Sequence, residues 1–245
     1  MNFAEQTSGD LSLAFTREAL VLLPTGSVEQ HGPHLPVGTD GMIAERLAVA
    51  VAAQMPDRCL VLPTLWYGFS PHHMSFPGTV TVAAGTYLGV TGEIAASLYA
   101  HGVQHLAFLN GHGGNSAPLK VLAAELARAH GKSPLVVTYW DLVAAEIGDF
   151  FEEPDQVCGH ACALETSLAL HLFPEAVKPE RIPGPSGKAG PHMFAGAGVV
   201  HGLDFRHFSG NGVIGDPSLA TADLGRRLFE LIVERLVAAL SKSAA

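Results

Sequence analysis

Short continuous apolar runs alternate along the chain with longer segments in which apolar residues recur at a helical period. The runs at 19–23, 59–65, 105–109 and 135–140 have the length and hydrophobicity of strands that a parallel sheet buries on both faces. The helical period predicts helices at 42–54, 86–100, 116–130 and 219–240, and another that is entered within 158–167 and runs to about 172. This alternation predicts an α/β fold, a single-domain sandwich with a mostly parallel central sheet flanked by helices.

Two segments fit neither pattern. Residues 66–79 combine turn-forming residues with aromatic ones and are predicted to form an irregular loop. Residues 184–198 are rich in Gly, Pro and Ala, which is typical of a mobile flap, of an arm that reaches a neighbouring subunit, or of a plain disordered linker. No other segment resembles a linker and no internal repeat is present, so residues 1–245 are expected to form one domain.

Composition narrows the range of partners. Of the 245 residues, 48% are hydrophobic and 15% are charged, which is enough apolar material for a well-buried core. The formal net charge of −9 disfavours nucleic acid and anionic membranes as partners. Residues 1–10 lack a secretion-signal pattern, no apolar run approaches the roughly 20 residues of a membrane span, and three cysteines do not suggest a disulfide framework. A cytoplasmic location is therefore expected.

Candidate metal ligands follow the first predicted strand. Glu29 and His31 are two residues apart, so extended backbone would point both side chains to the same side. Asp40 falls at the first turn of the next helix, where an acidic residue serves either as a cap or as a ligand. Taken singly, each has an ordinary alternative, since Glu29 could be solvated and His31 could be a hydrogen-bonded turn residue. Together they place carboxylate and imidazole, common ligands of divalent first-row metals, at a strand end where α/β proteins locate their sites.

A second cluster follows the strand at 105–109. The glycine-rich turn at 110–115 separates this strand from the next helix and carries His112. One interpretation is a phosphate cradle, because helix N-termini bind anions, although the turn lacks the Gly-Lys-Ser/Thr ending of a P-loop. The other interpretation is that the glycines let the backbone pass close to a neighbouring group while His112 points into the same space.

The third cluster contains His160 and Glu165, and His160 is expected to open the helix that follows. Cys158 and Cys162 flank His160, so that a thiolate metal site or a redox pair has to be considered. Their spacing is not Cys-x-x-Cys, and cysteine is a frequent buried apolar residue, so the structural interpretation is favoured.

The remaining polar candidates have weaker signals. Ser27 and Ser70 lack the Gly-x-Ser-x-Gly elbow of a serine hydrolase, so a serine nucleophile is disfavoured. His72 and His73 lie in the loop at 66–79, where they would contact ligands or substrate, or merely pack the loop. Three further histidines at helix ends or faces are expected to be structural, namely His101, His130 and His171. Arg206 and His207 could instead meet an anionic substrate.

These motifs, in this order, resemble the creatininase (creatinine amidohydrolase) family. The matching segments are 26–36 with Thr39 and Asp40, His73 with 76–79, the turn at 110–115, 159–161 with 165–167, and 212–217. The resemblance covers nearly the whole chain. The family also includes formamidopyrimidine deformylases and a peptidase that trims the mycofactocin precursor.

The resemblance implies two divalent metal ions per chain, with Zn, Mn and Fe all compatible with mixed nitrogen and oxygen ligands. Asp40 would bridge the metals, Glu29 and His112 would complete one site, and His31 would belong to the other. Creatininase proper has a glutamate two residues after the histidine that matches His112, and this chain has Gly114 there. Glu165 is the best replacement, as a ligand and a catalytic residue, and His160 would shuttle the proton.

The resemblance further implies hydrolysis of a non-peptide C–N amide bond, in a small cyclic amide or a formamide, by a metal-bridging hydroxide. His73, Ser70, Gly113 and Gly114 are the expected substrate-binding residues. Creatinine itself is disfavoured, because creatininases carry a tryptophan just ahead of the histidine that matches His160, and residues 156–159 contain none. The alternatives are a peptidase acting on a mycofactocin-type precursor and a non-catalytic, metal-containing scaffold subunit. A homo-oligomer, by resemblance a hexamer, is also expected.

Overall fold

A computed structural model describes residues 1–187 and 202–243 of the chain. Four strands form a parallel sheet in the order β2-β1-β3-β4. They are β1 (Leu20–Thr25), β2 (Cys59–Val61), β3 (His105–Asn110) and β4 (Leu135–Thr138). The predicted α/β sandwich with a central parallel sheet is confirmed.

Helices cover both faces of this sheet. They are α1 (Ser8–Thr16), α2 (Thr39–Gln54), α3 (Ala84–Ala100), α4 (Ser116–His130), the short α5 (Pro154–Val157), α6 (Ala163–Leu172) and α7 (Ala222–Ser243). Side chains of β1 alternate between the two faces, as a strand period of two requires. Leu20 and Leu22 pack in one core with α2, α6 and α7, whereas Val21 and Leu23 pack in the other with α1, α3 and α4.

Several predicted boundaries differ from the structure. The strand predicted at 59–65 ends at Val61, shortly before Pro63, which has no N–H to donate to a ladder. The strand predicted at 135–140 ends at Thr138. The last helix begins at Ala222 rather than at Leu219, which lies in a short 3-10 turn. Helix α4 has the predicted bounds.

Two predictions about helix starts bear on the site. Helix α2 begins at Thr39 with Gly38 as its N-cap, so the interpretation of Asp40 as the capping residue is wrong. Helix α6 begins at Ala163, so the expectation that His160 opens this helix is also wrong. His160 instead forms an isolated antiparallel bridge with Ile214, which holds it three residues ahead of the helix.

Helix α1 was not predicted. Its N-terminus carries a capping box in which the Thr7 side chain accepts from the Asp10 N–H and the Asp10 carboxylate accepts from the Thr7 N–H. The flap predicted at 184–198 lies mostly outside the described residues. Within the described residues, no helix combines the length and the hydrophobicity that crossing a bilayer requires.

Candidate metal centre

Two neighbouring strands deliver the first groups of the site. Thr25 at the end of β1 pairs with Asn110 at the end of β3, so the loops that follow these strands leave the sheet side by side. The loop after β1 carries Glu29 and His31, and its course is fixed by a hydrogen bond from the Glu29 N–H to the Val37 carbonyl at 2.9 Å. The carboxyl edge of a parallel sheet is where such proteins place their ligands, and the predicted cluster lies there.

Close backbone packing brings His112 next to Asp40. A Cβ atom at Gly111 would lie 2.6 Å from the Asp40 carbonyl oxygen, so only glycine lets the end of β3 touch the first turn of α2. The glycine-rich turn therefore passes close to a neighbouring group, as predicted, and that group is the first turn of helix α2. His112 follows directly and faces both Glu29 and Asp40.

The acidic and imidazole groups form two triads that share Asp40. One triad is Glu29, Asp40 and His112, the other is His31, Asp40 and Glu165, and in each the ligand atoms lie within 4.8 Å of one another. Asp40 Oδ2 lies 3.3 Å from Nδ1 of His112, whereas Asp40 Oδ1 lies 3.0 Å from Nε2 of His31. A carboxylate that faces each triad with a different oxygen is suited to bridging two cations.

Several buried polar atoms of the two triads are available to bind metal ions. Glu29 Oε2, Asp40 Oδ2 and His31 Nε2 are buried and have no hydrogen-bond partner. A buried polar atom without a partner costs about 1–3 kcal/mol, and a cation held between the two triads would be a common partner for all three atoms. Carboxylate oxygens and imidazole nitrogens together fit divalent cations.

Hydrogen bonds on the far side of two imidazoles fix their tautomers. His31 donates from Nδ1 to the Glu29 carbonyl at 3.2 Å, so the nitrogen that would face a cation is Nε2, which lies beside Asp40. His112 donates from Nε2 to the Phe69 carbonyl at 3.0 Å, which leaves its Nδ1 lone pair facing Glu29 and Asp40. Such outer hydrogen bonds orient a ring and raise its basicity as a metal ligand.

Glu165 reaches the site from the first turn of α6. Its Oε1 lies 3.9 Å from Nε2 of His31, and its other oxygen accepts a hydrogen bond from the Ala161 N–H. At Gly114, the position of the absent glutamate, a Cβ atom would lie 2.2 Å from the Phe69 carbonyl and 2.5 Å from Nε2 of His112. The packing that holds His112 therefore leaves no room for a side chain at Gly114, and Glu165 approaches from another direction.

His160 borders both triads. It donates from Nε2 to the Gln30 carbonyl at 2.8 Å, so its Nδ1 lone pair faces Glu29 Oε1 at 3.8 Å. Burial, and secondarily the charge of His31, hold the pKa of His160 well below its usual range. The ring is therefore neutral at pH 7 and can accept a proton at Nδ1. Glu29, His31 and His160 also satisfy the distances of a metal-binding group, so His160 lies within reach of a bound cation.

Mutual charges perturb the other groups strongly. Burial disfavours the charged form of His31, but the carboxylates of Asp40, Glu165 and Glu29 together outweigh burial and raise the pKa of His31 to about 10. Burial also favours the acid form of Asp40, yet the neighbouring His31 and His112 together hold the pKa of Asp40 below its usual range. Burial raises the pKa of Glu165 to about 8. The metal-free site therefore holds protons, which a cation must displace.

The predicted substrate-binding residues are distributed unevenly. Ser70 is fully buried and accepts a hydrogen bond from the Ser27 hydroxyl at 2.9 Å, which disfavours direct contact with substrate. His73 is also buried, with Nε2 at 3.2 Å from Glu29 Oε1, so it contacts the carboxylate of a candidate ligand. Gly113 is exposed at the edge of the site, and Gly114 is half-buried. Substrate binding by these residues stays a prediction.

Sequence reasoning missed Gln30 and Phe205. The Phe205 ring lies 4.0 Å from that of His73 and meets His160 edge-on at 4.8 Å, with both distances measured between ring centroids. Gln30 hydrogen-bonds to both histidines, through its side chain and its carbonyl respectively. Gln30 lies within the matched motif, but no spacing rule indicates contacts with residues 43 and 130 positions away.

The flanking cysteines do not join either triad. A hydrogen bond from the Cys158 side chain lowers the pKa of Cys162 to about 6 against the effect of burial. No group of potential metal ligands among the described residues includes a cysteine. Arg206 is exposed and donates to the Ser75 carbonyl at 2.8 Å, so in this arrangement it binds the neighbouring loop.

Comparison with known proteins agrees with this geometry. The model of the creatininase family, described as creatinine amidohydrolase, matches residues 4–240. A mycofactocin precursor peptide peptidase from Mycobacterium ulcerans (strain Agy99) is 35% identical over 229 residues, which cover 91% of this chain and 84% of the relative. Creatinine amidohydrolase from Pseudomonas putida is 30% identical over 182 residues, which cover 67% of this chain and 68% of the relative.

Solved structures show the same architecture. A crystal structure of creatinine amidohydrolase (creatininase) superposes with a TM-score of 0.84 at 27% identity, covering 99% of this chain and 97% of that one. Other solved creatininases, 26% identical to this chain, are described as a manganese form and as a Zn–Zn type. With the family match spanning nearly the whole sequence, the chain belongs to the creatininase family.

Proposed function

We propose that this protein is a hydrolase of amide C–N bonds that works with two divalent cations, zinc, manganese or iron. The observation that carries the proposal is the pair of triads that share Asp40. Glu29, Asp40 and His112 would hold one cation, and His31, Asp40 and Glu165 the other. When bound, such cations polarise an amide carbonyl and make water acidic enough to supply hydroxide near neutral pH.

The protein's own groups arrange the rest of the reaction. His160 is neutral, is oriented by its Nε2–H bond to the Gln30 carbonyl, and presents Nδ1 to the cluster. It can accept a proton at Nδ1 as water attacks and return that proton to the departing nitrogen. The Phe205 ring excludes water from one side of His160. His160 is therefore proposed as the acid/base residue, and Glu165 as a metal ligand close to it.

Exposure indicates the side from which substrate arrives. The side chains of Glu165 and His160 are 12% and 9% exposed, whereas those of His31 and Glu29 are 0% and 1% exposed. Since Glu165 and His160 are the most exposed of the candidate groups that the structure describes, a small amide reaches the cluster more readily than the middle of a peptide chain. This supports a small cyclic amide or a formamide as substrate, with Gly113 at the rim.

The matched pair His160→Ala and His101→Ala tests this proposal, because His101 is an exposed histidine at the C-terminal end of helix α3, outside both triads. Metal-loaded wild type and variants are assayed on cyclic amides, formamides and short peptides. His160→Ala should keep its metals and lose roughly 10²–10⁴-fold in turnover, the usual effect of a general acid/base, while His101→Ala behaves like wild type. Unchanged turnover in His160→Ala refutes the acid/base role, and metal loss would make His160 a ligand.

A second candidate function is cleavage of a precursor peptide. It is favoured by the four curated relatives at 35% identity, all named mycofactocin precursor peptide peptidase. The narrow exposed edge would then admit a peptide only near a chain end. Hydrolysis of peptides but not of small amides in the same panel would select this candidate. Absence of any hydrolysis by protein with full metal content would instead indicate a non-catalytic scaffold.

A further inference from the structure

Gln30 lies between two proposed ligands in the sequence, yet the function proposed above gives its side chain no role. The residue is 5% exposed, and its carboxamide makes hydrogen bonds to three different segments of the chain. A buried carboxamide with these partners holds three segments of the chain together. Whether each partner donates or accepts determines how the carboxamide is oriented and which proton its neighbour carries.

Two backbone groups fix the orientation of this carboxamide. The Gly32 N–H donates to Gln30 Oε1 at 3.0 Å, and Gln30 Nε2 donates to the Gly212 carbonyl at 3.1 Å. A flipped amide would place N–H against N–H and oxygen against oxygen. Gly212 has a φ of +84°, and a Cβ there would lie 1.8 Å from Gln30 Oε1, so glycine is required for this approach.

The fixed amide decides the tautomer of His73. Gln30 Nε2 is a donor and lies 3.0 Å from Nδ1 of His73, so that nitrogen must accept and carries no proton. The ring proton is then on Nε2, which lies 3.2 Å from Glu29 Oε1. His73 consequently donates a hydrogen bond to Glu29, with the Phe205 ring packed against its side.

We propose that Gln30 is a positioning residue that, through His73, holds a hydrogen-bond donor against the carboxylate of Glu29. The inference rests on the proposed function insofar as Glu29 is a metal ligand. The donor occupies one lone pair of Oε1 and turns the unpartnered Oε2 toward Asp40 and His112. Outer groups that orient a ligand in this way typically affect metal affinity by roughly 10–100-fold.

The first test reads the tautomer directly in metal-free wild-type protein. Long-range ¹H–¹⁵N correlation spectra of histidine-labelled protein distinguish the two nitrogens, and the His73→Phe spectrum assigns the His73 signals. A proton on Nε2 and none on Nδ1 is expected. A proton on Nδ1, alone or in addition, overturns the proposal. Because this measurement needs neither a Gln30 variant nor a metal, it holds even where Gln30→Met fails to fold.

The second test measures metal affinity by chelator competition in a double-mutant cycle. Gln30→Met and His73→Phe should each weaken one of the two metal sites by roughly 10–100-fold. Combining them should weaken it no more than His73→Phe alone, because Gln30 acts through His73. Losses that add, or a Gln30→Met variant with wild-type affinity, overturn the proposal.

The matched control is Thr79→Val. The Thr79 hydroxyl accepts from the Gln30 N–H and donates to the His73 carbonyl, so it joins the same two residues through their main chains only. The metal affinity of Thr79→Val should stay within about threefold of wild type. A loss of affinity equal to that of Gln30→Met would contradict the proposal, because it would show that loosening these loops in any way weakens metal binding. Wild-type protein that binds no cation would overturn the proposed function instead, so the two failures are distinguishable.

Discussion

Replacing Gly114 with alanine should weaken one metal site, although it adds a single methyl group. A Cβ there would lie 2.2 Å from the Phe69 carbonyl, 2.5 Å from Nε2 of His112 and 2.9 Å from Cε1 of His72. All three distances are shorter than contacts that real Cβ atoms make. The methyl group must therefore push apart the Phe69–His112 hydrogen bond that orients this ring.

Two contributions set the magnitude. Overpacking of a close-packed interior costs about 1–3 kcal/mol of folding stability. Loss of the outer hydrogen bond to His112 should lower metal affinity by roughly 10–100-fold at the site formed with Glu29 and Asp40. None of the three atoms nearest to such a Cβ belongs to His31 or Glu165, so the other site should keep its affinity. The same argument predicts that Gly114→Glu fails to restore a creatininase-type ligand.

Gly113→Ala provides a matched control one residue away. A Cβ at Gly113 would meet nothing within 4 Å, and neither glycine has a positive φ. This variant should leave metal affinity unchanged and stabilise the fold by about 0.4–1 kcal/mol, because alanine restricts the unfolded chain. Urea unfolding of the metal-free proteins and titration with zinc measure both quantities. Equal behaviour of the two variants would refute the steric reasoning.

Three further predictions follow from the site and the fold. Glu165→Gln should weaken one metal site and spare the other by elemental analysis; unchanged metal content and turnover would mean that water fills that position. In metal-free protein the proton on Glu165 contributes fully to folding stability below pH 4.5, and this contribution is lost as the pH rises through about 8. The proton on His31 contributes fully below pH 6.5, and its contribution is lost as the pH rises through about 10. Because a cation displaces these protons, zinc affinity measured calorimetrically should rise over this range, and a flat profile would contradict the pKa assignments. A homo-oligomer, by family resemblance a hexamer, is expected in light scattering at micromolar concentration, and a monomer would contradict it.

The sequence predicted the elements whose signals are local. Helix α4 combines a clear apolar period with Gly131 directly after its last residue, and its predicted bounds agree with the structure. The four strands appear as apolar runs because a parallel sheet is buried on both faces. The start of α6 was misplaced because His160 pairs with Ile214, and a bridge over such a distance leaves no local pattern.

In the candidate site, too, some residues have local sequence signals and others are placed by long-range contacts. Glu29, His31, Asp40 and His112 stand beside strand ends, so their convergence follows from the topology of a parallel sheet. Gln30 and Phe205 act through tertiary contacts that no spacing rule contains. Gly114 indicated that a ligand position was empty, but only packing shows why no side chain fits there.

The metal content of Asp40→Ala shows whether two metal sites share this one carboxylate. Asp149→Ala, which removes an exposed carboxylate that belongs to neither triad, is the matched control. By elemental analysis, wild type and Asp149→Ala should hold close to two divalent ions per chain, and Asp40→Ala should hold almost none. Retention of one or both ions by Asp40→Ala would contradict the account, because a site that survives without Asp40 does not depend on it.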